Sequence, residues 1–248
     1  VNMGCGHISL VEPERWLRDK ASPLATPKGQ ALLDGITIHE SLAEAVADSA
    51  LVIGTTARRG GWRQAMLSPE RCAAEVAACL RQGGRVSLVF GPEDRGLDNA
   101  AITQCHRLVC IPTDPAASSL NLAQAVLIVL YACAAAMREA DRSEAGAAAG
   151  GEPHGPLNVP QPEPIAPASL AGKEDGHGPL ASAADQERLM AALREMLLRI
   201  DYLHGDNPDY FLMPWRRLFG RARLRRHEYD ALMGMCRQVR RALERKEG

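Results

Sequence analysis

The sequence predicts an α/β domain followed by a small all-helical module. Three observations carry that prediction. Apolar runs of strand length alternate with segments of helical spacing up to about residue 142. Helix-start signals stand directly ahead of several helical segments, at Ser41, Ser68 and Asp98. From about residue 143, Ala, Gly and Pro take over; when large apolar side chains return, near residue 185, their spacing is helical. Strands that alternate with helices give a mainly parallel sheet with helices on both faces, since each parallel connection needs a crossover. The predicted units are an α/β domain over 1–142, a flexible linker over 143–184 and a basic helical module over 185–248.

Taken in order, residues 1–6 (VNMGCG) look like the last turn of a helix closed by glycine. The run HISLV at 7–11 is a strand. A proline-punctuated loop (Pro13, Pro23, Pro27) and a short helix over 28–33 follow, then a strand over 36–39. Ser41 and Glu44 have capping-box spacing and open a helix to about Ala47. Residues 51–54 are an apolar strand. Ser68-Pro69-Glu70 places a cap, a proline at the first helical position and an acid at the positive helix end, so a helix runs to about Gln82 and stops at Gly83-Gly84. A strand over 86–90, a short helix from Asp98 to Gln104, a strand over 108–111 and a long helix after Asn121 complete the domain. In the linker, Pro153, Pro156, Pro160, Pro162, Pro164 and Pro167 crowd a stretch too poor in large apolar residues to offset its ordering entropy. Beyond it, Leu189, Leu193, Met196, Leu197 and Ile200 share a helix face. Short and long helices over 214–219 and 226–244 finish the chain.

Composition bounds the rest. A chain of 248 residues holds one or two domains, and 46% hydrophobic with 24% charged residues is ordinary for a globular chain. A formal net charge of −1 gives no sign of a nucleic-acid partner, so such a sign must lie in the charge distribution. The seven cysteines form no C-x-x-C pair, which fits reduced thiols in the cytoplasm. His39, His154 and His177 are scattered without metal spacing, so no metal is expected. The apolar run 125–137 is too short to span a bilayer and reads as a buried helix, so no membrane partner is expected. The first residues lack the charged start and apolar core of a signal peptide.

Two loops are the default ligand site. GPEDRGL at 91–97 and PTDPAASSLN at 112–121 each follow a strand, and in open α/β sheets ligands bind beyond the strands' carboxyl ends. A P-loop is excluded, because Leu97-Asp98 stand where Lys and Ser/Thr would be needed. A dinucleotide fingerprint is excluded too, since Gly4-x-Gly6 precedes its strand. Cys105-His106 lacks a third orienting group, which argues against a nucleophile and base. Ser119 and Asn121 sit where a helix begins, as caps, as ligand contacts or as both. After Tyr210 the chain turns basic, with Arg216, Arg217, Arg221 and Arg223 among many arginines and Trp215, Phe219 and Tyr229 between them. That pattern is either a solvated helix face or a surface that tracks phosphates.

FGPEDRGL followed by IPTDPAASSLNLAQAV resembles the second and third motifs of the SpoU/TrmH branch of the SPOUT RNA methyltransferases. The resemblance implies a trefoil knot at the C-terminal end of the methyltransferase domain. It also implies S-adenosylmethionine bound in the knot and methylation of a ribose 2′-hydroxyl. Carried over residue by residue, it implies cofactor contacts at Thr55, Thr56, Ala57, Gly91, Ile111, Ser119, Leu120 and Asn121. Glu93, Ser119 and Asn121 are then the catalytic candidates. The family's first motif, a strand and an Asn/Gly-rich turn carrying an Ala-Arg pair, has no match here beyond a final N-M-G-like ending. The expectation is therefore a chain without that first strand, its catalytic arginine unassigned and Arg58 merely near the cofactor loop.

Near the other end, L-x-G-D-N-P, WRRLFGRARL and HEYDALMGMCRQV resemble the C-terminal extension of TrmJ-type transfer-RNA methyltransferases. This implies transfer RNA as partner, a pyrimidine of the anticodon loop as target, a homodimer, and RNA contacts at Arg216, Arg217, Arg221 and Arg223. The tether should let that module swing. A ribosomal-RNA methyltransferase of the same family and a non-catalytic RNA-binding protein are the alternatives.

Overall fold

A computed structural model describes residues 1–57, 66–114, 119–149, 178–203 and 208–247. Its strands are β1 (Ser9–Val11), β2 (Thr37–His39), β3 (Leu51–Thr55), β4 (Val86–Val89) and β5 (Arg107–Val109). Its helices are α1 (Arg18–Ala21), α2 (Pro27–Asp34), α3 (Leu42–Val46), α4 (Pro69–Arg81), α5 (Asn99–Gln104), α6 (Leu122–Ala149), α7 (Ala183–Arg199), α8 (Pro208–Ala222) and α9 (Arg226–Glu247).

All strand pairings between these elements are parallel, but they form two ladders where one sheet is predicted: β1-β2, and β4-β3-β5 with β3 central. The prediction of helices on both faces holds. Side chains alternate across a strand, and β3 shows the consequence. Leu51 and Ile53 are fully buried against α4 and α6, together with Cys72, Val76, Val109 and Val129. Val52 points the other way, to Val46 of α3 and Ala183 of α7. On that second face Leu97 and Ile102 cover Leu108. Burying each large aliphatic side chain contributes about 1.5–3 kcal/mol, so β3 anchors the domain.

The caps explain where helices start. Ser41, Ser68 and Asp98 each accept from the backbone N–H three residues on, as their spacing predicts. Glu44 returns its carboxylate to the Glu40 N–H, one residue earlier than a full capping box requires. Gly83 takes φ +72° just past the cap of α4. Residues 1–6 form an irregular turn, Gly4 N–H donating to Val1 O, where a helix end was predicted.

Helix α6 corrects a second expectation. It was predicted to be buried, yet only a stripe through Val129 and Cys133 is, while Leu127 and Tyr131 are 55% and 58% exposed. Between Leu122 and Arg142 it is long and apolar enough to cross a bilayer by composition alone. Its packing on α4 is that of a core helix with one face left over.

The C-terminal helices have their own core, built by Leu189, Leu193, Met196 and Leu197 of α7, Leu212 and Phe219 of α8, and Tyr229 and Cys236 of α9. Ile200, predicted on that face, is the exposed C-cap residue of α7. The structure seats these helices on the body. Ala183 N–H donates to Ser49 O at 2.7 Å and Ala184 N–H to Ala47 O at 3.1 Å. Of the linker predicted over 143–184, residues 150–177, its clustered prolines included, lie outside the described residues.

Candidate functional site

The carboxyl ends of β3, β4 and β5 lie side by side, with Gly54 level with Val89 and Thr55 level with Val109. The exit of β3 is pinned on both sides. Thr55 Oγ1 donates to Val89 O at 3.2 Å, and Thr56 N–H donates to Val109 O at 3.0 Å. Thr55, Thr56, Gly91 and Ile111 thus come together half-buried at one end of the sheet, with Ala57 exposed beyond them. The loop after β4 folds back tightly on itself. Gly96 has φ +64°, a left-handed conformation that glycine adopts without penalty. A Cβ at Gly91 would lie 2.3 Å from the Gly96 carbonyl carbon, so no larger residue fits there.

The second loop is tied to the first. Glu93 Oε1 accepts from Asn121 Nδ2 at 2.6 Å and from Leu122 N–H at 2.9 Å. Asn121 Oδ1 accepts from Ala123 N–H at 3.0 Å. The first N–H groups of α6 are therefore already engaged by Glu93 and Asn121, which act as a shared cap. Ser119 is exposed and Leu120 half-buried just ahead of this knot of hydrogen bonds. The predicted cofactor residues converge on one place. Small side chains, main-chain groups and the apolar walls of Ile111 and Leu120 suit a nucleoside held through backbone contacts. Arg58 and residues 115–118 lie outside the described residues.

Cys105 and His106 lie at the other end of β5, and their surroundings exclude paired chemistry. Burial pushes the Cys105 thiol up to about 12, and its Sγ donates to Ala101 O. His106 Nδ1 accepts from Val52 N–H at 3.1 Å, so the neutral ring carries its proton on Nε2. Burial, then the charges of Arg107 and Arg216, lower its pKa to about 4. Among the described residues no cluster of His, Cys, Asp and Glu is arranged to hold a metal.

The predicted RNA-binding arginines separate into kinds. Arg223 donates to Glu75 of α4 at 3.3 Å, and the same carboxylate pairs with Arg107 of β5 at 3.1 Å. Arg223 is thus a fastening between module and body. Arg216 is held bidentately by Glu187 of α7. Arg217 is half-buried and Arg221 exposed, and both line a cavity of about 240 Å³ where α8 meets the body. Gly220 makes that meeting close: its Cβ would sit 3.3 Å from Cα, Cβ and O of His106. Glu75, Arg107 and Gly220 escape a sequence reading, since nothing in periodicity links positions so far apart.

Residues 1–131 match the SpoU rRNA Methylase family, and residues 184–248 match the C-terminal domain of the tRNA methyltransferase TrmJ. The chain is 31% identical over 238 residues to the tRNA (cytidine/uridine/adenosine-2′-O-)-methyltransferase TrmJ of Pseudomonas aeruginosa, covering 96% of this chain and 84% of that protein. It is 32% identical over 238 residues to the tRNA (cytidine/uridine-2′-O-)-methyltransferase TrmJ of Yersinia enterocolitica, with 96% and 82% covered. The crystal structure of TrmJ from Z. mobilis ZM4 superposes with a TM-score of 0.69 at 25% identity, over 96% of this chain and 89% of that one.

Proposed function

The chain belongs to the SpoU rRNA methylase family and carries a TrmJ-type C-terminal domain, and from that premise we propose that it methylates a ribose 2′-hydroxyl of transfer RNA, with S-adenosylmethionine as donor. The observation that carries this reading is the union of the two matches in one chain whose Gly91–Leu97 and Ser119–Asn121 loops meet at one end of a parallel sheet. The TrmJ-type domain favours transfer over ribosomal RNA, and the target of our reading is a pyrimidine of the anticodon loop, in keeping with the cytidine and uridine in the relatives' names.

Bound at these loops, S-adenosylmethionine supplies an electrophilic methyl carbon. The chain's own residues position it. Thr55, Thr56 and Ala57 form one wall through their backbone, Gly91 lets the first loop fold back on Gly96 to shape a second, and Ile111 and Leu120 exclude water. Ser119 and Asn121 offer polar contacts on the remaining side. Glu93 receives two hydrogen bonds from the α6 start, so its role is to hold the second loop against the first. Rate enhancement of this kind comes mainly from holding two reactants in line.

The exposed face of α6, with Leu127, Ile128, Tyr131 and Met137, is the surface of a homodimer. Obligate interfaces of this type resemble a core cut in half, which matches a core helix with an apolar face to spare.

Two measurements test the proposal. Calorimetric titration with S-adenosylhomocysteine should give saturable binding that is lost on Gly91→Val. Incubation with labelled S-adenosylmethionine and whole transfer RNA should put label on a nucleoside resistant to alkaline cleavage at its 3′ phosphate. A folded protein that neither binds the homocysteine product nor transfers label would sink the reading.

A further inference from the structure

The cavity where α8 meets the body lies away from the cofactor loops, and its chemistry is not that of a passive seam. The body side contributes Thr103 of α5, His106 and Arg107, and α8 contributes Arg216, Arg217 and Arg221. Four guanidinium groups face it against one carboxylate, Glu75. That carboxylate is shared between Arg107 and Arg223. Arg216 is held by Glu187 from outside the cavity. Among the described residues no carboxylate lies within ion-pairing distance of Arg221. His106 lines the same cleft, its basicity lowered first by burial and then by the charges of Arg107 and Arg216. A volume of about 240 Å³ admits a phosphate with part of its ribose and is too small for a stacked base pair.

Position adds to chemistry. β5 begins at Arg107 in this cleft, and Ile111 at the cofactor loops lies four residues further on. At roughly 3.3 Å per residue of extended chain the two places are at most about 13 Å apart along β5 and the two residues beyond it, a distance that a few nucleotides of extended RNA cover.

We propose that this cleft is a phosphodiester subsite, shared between body and C-terminal module, that grips the RNA backbone a few nucleotides from the ribose to be methylated. The proposal rests on the reading that RNA is the substrate. It differs from a basic outer helix face in one testable respect, because half of the site belongs to the methyltransferase body. The module then works while seated on the body, and its docking builds the groove.

The decisive variant therefore lies on the body side. Thr103→Glu puts a carboxylate into the cleft without touching any arginine, and Arg221→Ala removes one guanidinium from the opposite wall. Filter binding of whole transfer RNA to the full chain is measured across a salt series for wild type and both variants, with thermal melting to confirm that each is folded. Thr103→Glu should weaken binding by about tenfold or more, since a like charge then faces the phosphate. Arg221→Ala should flatten the slope of log affinity against log salt by about one. Affinity for S-adenosylhomocysteine should stay as in wild type. If Thr103→Glu does not fold, Arg221→Glu replaces it with the same expected weakening. Wild-type RNA binding that both variants reproduce in affinity and slope overturns the cleft while leaving the methyltransferase reading intact. Absence of RNA binding in wild type overturns both. A parallel titration with inorganic phosphate at constant ionic strength separates the sources. Phosphate binding lost in Thr103→Glu, with RNA binding unmoved, would mark a free-anion pocket and overturn the backbone proposal.

Discussion

At Asn121 one side chain joins two loops, its amide nitrogen donating to Glu93 and its oxygen capping Ala123 N–H. Asn121→Ala should cost about 0.5–2 kcal/mol in urea unfolding through the lost cap, and should weaken S-adenosylhomocysteine binding besides. Asn121→Asp separates the two effects. It keeps the capping oxygen but sets a carboxylate against Glu93, so its loss of stability relative to wild type should be larger at pH 8 than at pH 4. His106 gives a second pH effect with a definite sign. Its folded pKa, about 4, lies below the ordinary value of 6.5, because burial and then Arg107 and Arg216 oppose its charge. The unfolded chain therefore binds the extra proton first as pH falls. The stability contribution is complete above about pH 6.5, declines by at most about 1.4 kcal/mol per pH unit down to about pH 4, and levels off below. Melting curves of wild type and His106→Gln between pH 7.5 and 4.5 check this, and the variant should lose that part of the slope.

Among the elements, α8 shows best what could and could not be read in advance. The sequence reading places a short helix over 214–219. The helix begins at Pro208 and carries Pro214 inside it. Proline favours the first helical position, so Pro208 and Pro214 are equally good starts by that rule, and no local signal chooses between them. Caps at Ser41, Ser68 and Asp98 were legible because their partners lie three residues away. The full box of Ser182 and Asp185 obeys the same local rule but sits at the edge of a stretch read as linker. Helix α6 continues to Ala149 for a related reason, as alanine looks like low complexity yet is the best helix former. The two loops proposed to hold the cofactor are legible in sequence as motifs. Their fastening by Glu93, and the seating of α8 on His106, were not, because each depends on pairing across the fold. Gly220→Val tests that seating. Its added carbons meet the His106 backbone, which is closely packed and cannot yield, so a loss of about 1–3 kcal/mol is expected in thermal or chemical unfolding. Gly220→Ala should cost less.

For the whole molecule, the unpaired face of α6 makes assembly the main expectation. Leu127 and Tyr131 are more than half exposed on a helix whose other face is core. Changing both to Arg should leave the fold intact and turn a dimer into a monomer in light scattering at micromolar concentration. A wild-type chain that is monomeric under those conditions would refute the dimer. Salt dependence belongs to this scale as well. The formal net charge of −1 conceals a C-terminal module rich in arginine, so affinity for transfer RNA should fall steeply with salt although the protein as a whole is nearly neutral.

The fastening of Arg223 to Glu75 joins residues 148 positions apart, and that separation orders events in time. Contacts that close long loops form late, because their entropy is lost before any contact repays it. The body, whose β3, β4 and α4 are near neighbours in sequence, condenses first, and Arg107 keeps Glu75 paired while it waits. Docking of α7, α8 and α9 is then the closing step, both in refolding and on a ribosome that releases them after the body. Refolding followed by fluorescence of Trp215 should show a slow phase that Glu75→Gln lengthens, while the burial of β3, followed by hydrogen exchange, keeps its rate.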